Sequence, residues 1–330
     1  MLIMLEFLEG LGFVKKYLML LCLLIFVGCN AQHELADTVD EIYMLADDNY
    51  TIEEASMFLH PHKESGVVDV YVFGFPSADA ILITTENYVV LIDTGERQHG
   101  RMISDALFAR TIFHIDYLII THFDRDHVGG AYYVLRFLEV RNLIVPNYER
   151  VSNSVNRLNL AKQREGVEAY VLTETITLTL DDAVIVIKPS GLDFFVFGNE
   201  DDDDNYEATT DIPSENDFSI IVSVGHGENN FLFTGDAMAG RLGEFLEFME
   251  TEEIPPFDFL KLPHHGRHNR RTMEFLAAVN PRYAVSTCCF NRPADERVVT
   301  FLESINAEIF FSKFGGVHVR SDGVNLMVTQ

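Results

Sequence analysis

Residues 121–130 read Thr-His-Phe-Asp-Arg-Asp-His-Val-Gly-Gly and directly follow the apolar run Tyr-Leu-Ile-Ile at residues 117–120. Two histidines, His122 and His127, and two aspartates, Asp124 and Asp126, thus fall within six residues. Burying these groups without a partner is costly, whereas a divalent cation bound by imidazole nitrogen and carboxylate oxygen makes the cluster favourable. A solvated turn would not explain the apolar strand that precedes it. The pattern therefore predicts a metal site in a loop at the end of a strand.

Other possible metal-binding side chains also follow apolar runs. Asp93 comes directly after residues 89–92, Asp236 after Phe-Leu-Phe-Thr-Gly at residues 231–235, and the pair His264 and His265 after residues 259–263. Strands buried on both faces are continuous apolar runs, and sites collect at their carboxyl ends. We therefore expect these remote segments to converge on one site.

Taken together, these segments resemble the metallo-β-lactamase superfamily of metal-dependent hydrolases over most of residues 67–330. The resemblance rests on Leu-Ile-Asp-Thr-Gly at 91–95, His-x-Asp-x-Asp-His at 122–127, Thr-Gly-Asp at 234–236 and Leu-Lys-x-x-His-His-Gly at 260–266. It is closest to the hydrolase domain of ComEC-type competence proteins and related phosphodiesterases, because Asp124 stands where most of the superfamily has His. The resemblance implies an α/β fold, a four-layer αββα sandwich forming a single catalytic domain.

The resemblance also implies two divalent metal ions, zinc or manganese, held by six side chains. These are His122, Asp124, Asp126, His127, Asp236 and His265. His122 and Asp124 would bind one ion, Asp126 and His127 the other, and Asp236 would bridge them. Of the pair His264 and His265, we favour His265 as the ligand of the second ion, with His264 facing the substrate. Asp93 would orient a ligand or the loop by hydrogen bonding.

The chemistry implied is hydrolysis by a metal-bound hydroxide, because a cation lowers the pKa of bound water and two cations can stabilise the attacking and leaving oxygens at phosphorus. A phosphodiester or related ester is the favoured substrate, ahead of a lactone or a β-lactam. The predicted catalytic residues are Asp126, His264 and Asp217. The groups predicted to bind charge on the substrate are Lys261, Arg267 and His268.

A hairpin is predicted over residues 218–234. If Val224 pairs with Phe231, His226 lies roughly 20–25 Å from Asp236 along the strands and is not a ligand. The same register brings Asp217 near Asp236, where it would act as an extra ligand or an orienting acid; a cap at the start of the strand is the alternative.

The amino terminus has the pattern of a bacterial lipoprotein signal. Lys15-Lys16 precedes the apolar segment 17–27, which ends at Gly28-Cys29. We predict a signal segment at 1–28, lipidation of Cys29, an acidic tether at 29–65 and the hydrolase domain at 66–330. The protein would then be anchored by lipid to the membrane surface of the bacterial cell envelope, outside the cytoplasm. An uncleaved membrane anchor is the alternative.

The net charge of −27 limits the choice of substrate. Long nucleic acids would be repelled overall, and binding one would require a local basic groove. Small-molecule or cell-wall esters fit the charge better, and no obligate protein partner is inferred. A second class of function stays open: a lipid-anchored metal- or ligand-binding protein whose degenerate site does not turn over substrate.

Overall fold

The apolar runs of the sequence form the strands of two large sheets. The computed structural model describes residues 64–197 and 213–330, all of which fall within one compact unit. The predicted signal segment, Cys29 and the tether up to residue 63 lie outside these residues. In chain order the strands are β1 Val68–Val72, β2 Ile81–Thr84, β3 Val89–Ile92, β4 His114–Ile119, β5 Glu139–Val145, β6 Glu149–Arg150, β7 Ala169–Val171, β8 Ile176–Leu180, β9 Ala183–Lys188, β10 Val196–Phe197, β11 Ile221–His226, β12 Asn229–Phe233, β13 Phe259–Lys261, β14 Tyr283–Ser286, β15 Glu308–Phe311, β16 Val317–Ser321 and β17 Leu326–Thr329.

The helices lie between these strands. They are α1 Arg97–Phe108, α2 Arg125–Val128, α3 Ala131–Phe137, α4 Asn153–Glu165, α5 Ala239–Thr251, α6 Thr272–Val279 and α7 Glu296–Ser304. None of the helices in the described ranges is both long enough and apolar enough to span a bilayer.

The first sheet has eight strands in the order β17-β16-β1-β2-β3-β4-β5-β7, and the second has seven in the order β15-β14-β13-β12-β11-β9-β8. Strands β3, β4, β5 and β7 run parallel, as do β12, β13, β14 and β15. The carboxyl ends of each parallel set therefore lie along one edge of its sheet.

The main core lies between the two sheets. It joins apolar side chains of the first sheet, such as Ile83 and Ile119, to side chains of the second, such as Val222 and Phe233. Alternation along the strands sends Leu232 and its neighbours to the opposite face of the second sheet, where they pack with apolar residues of α5, α6 and α7.

The buried side chains Leu91 and Leu118 of the first sheet are absent from the core between the sheets and alternate with residues that belong to it. They face the outer side, where α3 packs on β5 and α1 and α4 pack against α3. The order of layers is helix, sheet, sheet, helix, and this confirms the predicted αββα sandwich in a single domain. The end of the chain also contributes to the first sheet, because β16 pairs with β1.

The predicted hairpin register is confirmed, since Val224 pairs with Phe231. The pairing continues to His226 and Asn229, so the turn between the two strands is short. His226 Nδ1 lies 2.8 Å from Ser321 Oγ, and the ring is buried at that end of the hairpin.

The start of α1 depends on a neutral histidine. The backbone N–H of Glu96 donates to His99 Nδ1 over 3.0 Å, and the His99 ring stacks on Phe75 with ring centroids 3.9 Å apart. Burial lowers the pKa of His99 from 6.5 to about 4, against the opposing charge of Asp126.

We expect His99 to make the protein less stable in acid. Because its pKa is depressed in the folded state, its contribution is present above pH 6.5 and is lost as the pH falls towards about 4. The free energy of unfolding can be measured in urea at neutral pH and near pH 4.5. Between these two pH values it should fall by about 2 kcal/mol more in the native protein than in His99→Gln. Equal losses in the two proteins would contradict this assignment.

Candidate metal centre

Four strand ends meet where the two sheets are joined. Asp93 follows β3, the loop with His122 and His127 follows β4, Asp236 follows β12 and His265 follows β13. A backbone hydrogen bond from Ile220 N to Thr121 O, 2.9 Å long, links the second sheet to the first at this point. The predicted convergence of remote segments is confirmed.

Glycines allow the loop after β4 to fold tightly against its neighbours. A Cβ atom on Gly130 would lie 2.3 Å from Thr94 O, closer than any carbon can approach. The backbone N–H of Thr94 donates to His127 O over 2.7 Å. The short helix α2 thereby directs His127 inward, towards the ends of the strands.

Four side chains form the group that could hold a metal ion: Asp126, His127, Asp236 and His265. One nitrogen or oxygen atom from each lies within 4.8 Å of the others. His265 Nε2 lies 3.2 Å from Asp126 Oδ2 and 3.1 Å from Asp236 Oδ2, and His127 Nε2 lies 3.3 Å from Asp236 Oδ1. Both imidazoles thus direct Nε2 at the carboxylates of the group. We call this set the four-residue group.

The outward-facing nitrogens of these two rings are held by second partners. His127 Nδ1 lies 2.8 Å from Asp93 Oδ2, and His265 Nδ1 lies 2.9 Å from Thr287 Oγ1. Asp93 also accepts hydrogen bonds from Thr121 N and Thr121 Oγ1, at 2.8 and 2.7 Å. Such partners fix the orientation of an imidazole ligand. Asp93 therefore makes the contacts that its predicted orienting role requires, both to the loop and to His127.

The charged side chains in this region favour the binding of a cation. Burial alone raises the pKa of Asp236, but the charges of His265, His127 and Lys261 outweigh it and hold that pKa well below its usual range. Burial alone lowers the pKa of His127, but Asp236 and the neighbouring carboxylates raise it well above the usual value.

A divalent ion would replace the protons that these imidazoles otherwise retain. Four carboxylates, from Asp79, Asp93, Asp126 and Asp236, surround the two rings, and the ammonium of Lys261 pairs with those of Asp79 and Asp236. Two imidazole nitrogens and two carboxylate oxygens are a donor set that suits zinc or manganese. The residues present fit the metal that the sequence predicts.

The neighbouring pair His264 and His265 has an unusual backbone. Their φ angles are 47° and 55°, and that of Gly266 is 89°, so three successive residues are left-handed. Non-glycine residues in this region are strained, and such strain is typical of functional sites. The turn points His265 into the four-residue group. His264 is left at its margin, with Nε2 4.0 Å from Asp236 Oδ2, and burial lowers its pKa to about 4.

The other predicted ligands, His122 and Asp124, lie beside the four-residue group but outside it. His122 is fully buried, and its ring centroid is 4.0 Å from that of His127. His122 Nε2 lies 3.4 Å from Asp124 Oδ2, while the other carboxylate oxygen of Asp124 is bonded to Arg150 Nη1.

Two predicted site residues occupy positions that do not fit their predicted roles. Lys261 is wholly buried; it forms an ion pair with Asp79, and its Nζ donates to Gly235 O at 2.9 Å and Asp236 Oδ1 at 3.2 Å. A substrate cannot reach it, so Lys261 is corrected from a substrate contact to a charge partner within the protein.

Asp217 is the second correction. It lies in a 3-10 turn at Glu215–Phe218, which interrupts the extended backbone that the register argument assumed. Its Oδ1 accepts a hydrogen bond from Arg241 N, 3.0 Å away, in the first turn of α5. Asp217 therefore caps the first turn of α5, rather than the start of the strand as in the alternative above. By contrast, Arg267 and His268 are half-buried and follow the histidine pair directly in the chain, and their predicted contact with substrate stays a prediction.

Asp79 is a residue of the site that was not predicted from the sequence. This residue precedes β2, and both its carboxylate oxygens are buried. Its Oδ1 lies 3.4 Å from His265 Nδ1, and its Oδ2 pairs with Lys261. The one available signal was an acidic residue between two alanines at the start of a buried strand, and this pattern alone does not specify a partner.

The fold and the four-residue group together define a metal-dependent hydrolase of the αββα class. The sequence profile of the metallo-beta-lactamase superfamily matches residues 74–286, which is well over half of the chain, and the protein belongs to this superfamily. The resemblance noted from the motifs is confirmed.

Two curated proteins are similar in sequence. ComE operon protein 3 of Bacillus subtilis is 26% identical over 246 residues, which cover 69% of this chain and 29% of that protein. Recombination protein 2 of Haemophilus influenzae is 22% identical over 213 residues, covering 62% of this chain and 22% of that protein. The match thus spans less than a third of the length of either relative.

Solved structures also show similarity at low sequence identity. The metallo-beta-lactamase fold protein YhfI from Bacillus subtilis gives a TM-score of 0.47 at 13% identity, covering 77% of this chain and 99% of that one. Tm1679, a metal-dependent hydrolase of the beta-lactamase superfamily, gives 0.47 at 14% identity, covering 77% and 98%.

Proposed function

We propose that the protein hydrolyses a phosphodiester or related ester with a divalent metal ion held by Asp126, His127, Asp236 and His265. The observation that carries the proposal is the convergence of these four side chains from three remote segments, with their donor atoms within 4.8 Å. An ion in this position supplies Lewis-acid polarisation and lowers the pKa of water bound to it.

The side chains in and around the four-residue group have different roles. Asp126 is the most exposed of the four, with 21% of its side chain accessible, so the substrate approaches from its side. His264 is neutral at pH 7 because its pKa is about 4, and it offers an uncharged imidazole at the margin of the group. Asp93 and Thr287 hold the rings of His127 and His265 in place.

Charge favours a small substrate. The backbone N–H of Arg267 donates to His264 O over 2.9 Å, and the Arg267 guanidinium would provide positive charge for a phosphate, with the half-buried His268 as a further polar contact. The net charge of −27 disfavours a long polyanion, so a small-molecule or cell-wall ester fits better than nucleic acid. The lipoprotein pattern at residues 1–29 supports a place in the cell envelope.

Chelation provides the direct test. The purified full chain should cleave bis-p-nitrophenyl phosphate or p-nitrophenyl phosphorylcholine. EDTA should lower the rate of cleavage at least about 100-fold, and added Zn²⁺ or Mn²⁺ should restore it. Nitrocefin and a lactone serve as comparison substrates. Stoichiometric metal without cleavage of any of them would contradict hydrolysis and favour the alternative, a metal- or ligand-binding protein.

A further inference from the structure

The carboxylate of Asp124 already has a cationic partner. Arg150 Nη1 is hydrogen-bonded to Asp124 Oδ1 and also lies 2.7 Å from Glu215 Oε2. Only 7% of the Arg150 side chain is exposed. The guanidinium is therefore an internal ion-pair partner of Asp124, rather than a surface charge that solvent screens.

The surrounding structure holds Arg150 in this position. Its backbone lies in β6, where it pairs with Phe197 of β10. The hydroxyl of Tyr148 donates to Glu215 Oε1 over 2.6 Å and accepts a hydrogen bond from Phe123 N over 2.5 Å. Phe123 belongs to the same loop as Asp124, so loop, guanidinium and Glu215 form one connected network.

We infer that Arg150 takes the place of a second metal ion, so that the centre holds a single divalent cation in the four-residue group. The inference rests on the proposed function, because it assumes that this group binds metal. A second ion at His122 and Asp124 would have to share the Asp124 carboxylate with the guanidinium. Two cations competing for one carboxylate repel each other, and the charge that would attract the second ion is already neutralised.

The number of bound ions tests this directly. The full chain, loaded with Mn²⁺ and desalted, should contain one ion per chain by elemental analysis and give the six-line electron paramagnetic resonance spectrum of an isolated Mn²⁺. In Arg150→Met, which removes the charge but keeps most of the side-chain length, a second Mn²⁺ should bind at least about tenfold more tightly than in the native protein. The two ions should then give a spin-coupled spectrum.

Arg141→Met is the matched control. Arg141 pairs with Asp116 and Glu139 towards the amino ends of β4 and β5, opposite the candidate metal centre, so this change should leave one ion per chain. Asp124→Asn covers the case in which Arg150→Met does not fold. Because Asp124 is not a ligand of the single ion, this variant should retain it with an affinity within about threefold of the native value.

Each outcome separates the inference from the proposed function. Two spin-coupled ions in the native protein, loss of the ion in Asp124→Asn, or a single ion in folded Arg150→Met would overturn the inference and leave a metal-dependent hydrolase in place. No bound ion in the native protein would instead contradict the proposed function itself.

Discussion

Asp236→Asn should abolish metal binding and lower the rate of ester hydrolysis at least about a thousandfold. Asp236 lies 3.3 Å from His127 and 3.1 Å from His265, so it is the carboxylate that connects both imidazoles. The amide keeps the size of the side chain and removes the negative charge that a cation requires. Elemental analysis and the rate with bis-p-nitrophenyl phosphate measure the two effects.

Asp217→Asn is the matched control for this change. Both residues are buried aspartates near the ends of the same hairpin, but Asp217 caps α5 instead of facing the four-residue group. We expect this variant to keep its metal and a rate within about threefold of native, with a loss of roughly 1 kcal/mol in stability from the weakened cap. If Asp217→Asn lost its metal and Asp236→Asn retained it, the assignment would be reversed.

Lys261→Met should lower the free energy of unfolding by about 3–5 kcal/mol, because it leaves two buried carboxylates without their ammonium partner. Burial alone lowers the pKa of Lys261, but Asp79 and Asp236 outweigh it and raise that pKa above its usual value, so the ammonium stays charged. Methionine fills a similar volume, and the loss therefore reports on charge rather than on packing. Urea unfolding at neutral pH measures it.

Lys162→Met provides the comparison for this second change. Lys162 lies on α4 and its ammonium contacts Asn159 in an exposed pair, so its loss should cost less than about 1 kcal/mol. Equal effects in the two lysine variants would show that Lys261 does not balance the buried carboxylates.

The positions of the residues at the candidate metal centre could be predicted because their signal is local. A residue such as Asp93 or Asp236 follows an apolar run directly, and parallel strands bring their carboxyl ends to one edge. The hairpin was also predictable, and the register assumed for it, with Val224 opposite Phe231, is the one observed. In these cases a short segment of sequence determines where the side chain lies.

The errors arose where position depends on remote partners. Lys261 stands beside the histidine pair in sequence, but it belongs to a strand buried on both faces, which sends its ammonium into the protein. Asp217 was displaced by a 3-10 turn that the strand pattern did not reveal. Arg150 lies in a two-residue strand whose partner, β10, is remote in sequence, so nothing local indicated its contact with Asp124.

The most direct test of the metal centre is an anomalous diffraction map of the Mn²⁺-loaded protein. We expect one strong peak within about 2.0–2.3 Å of donor atoms from Asp126, His127, Asp236 and His265. No peak between these four side chains, or the strongest peak elsewhere in the protein, would contradict it.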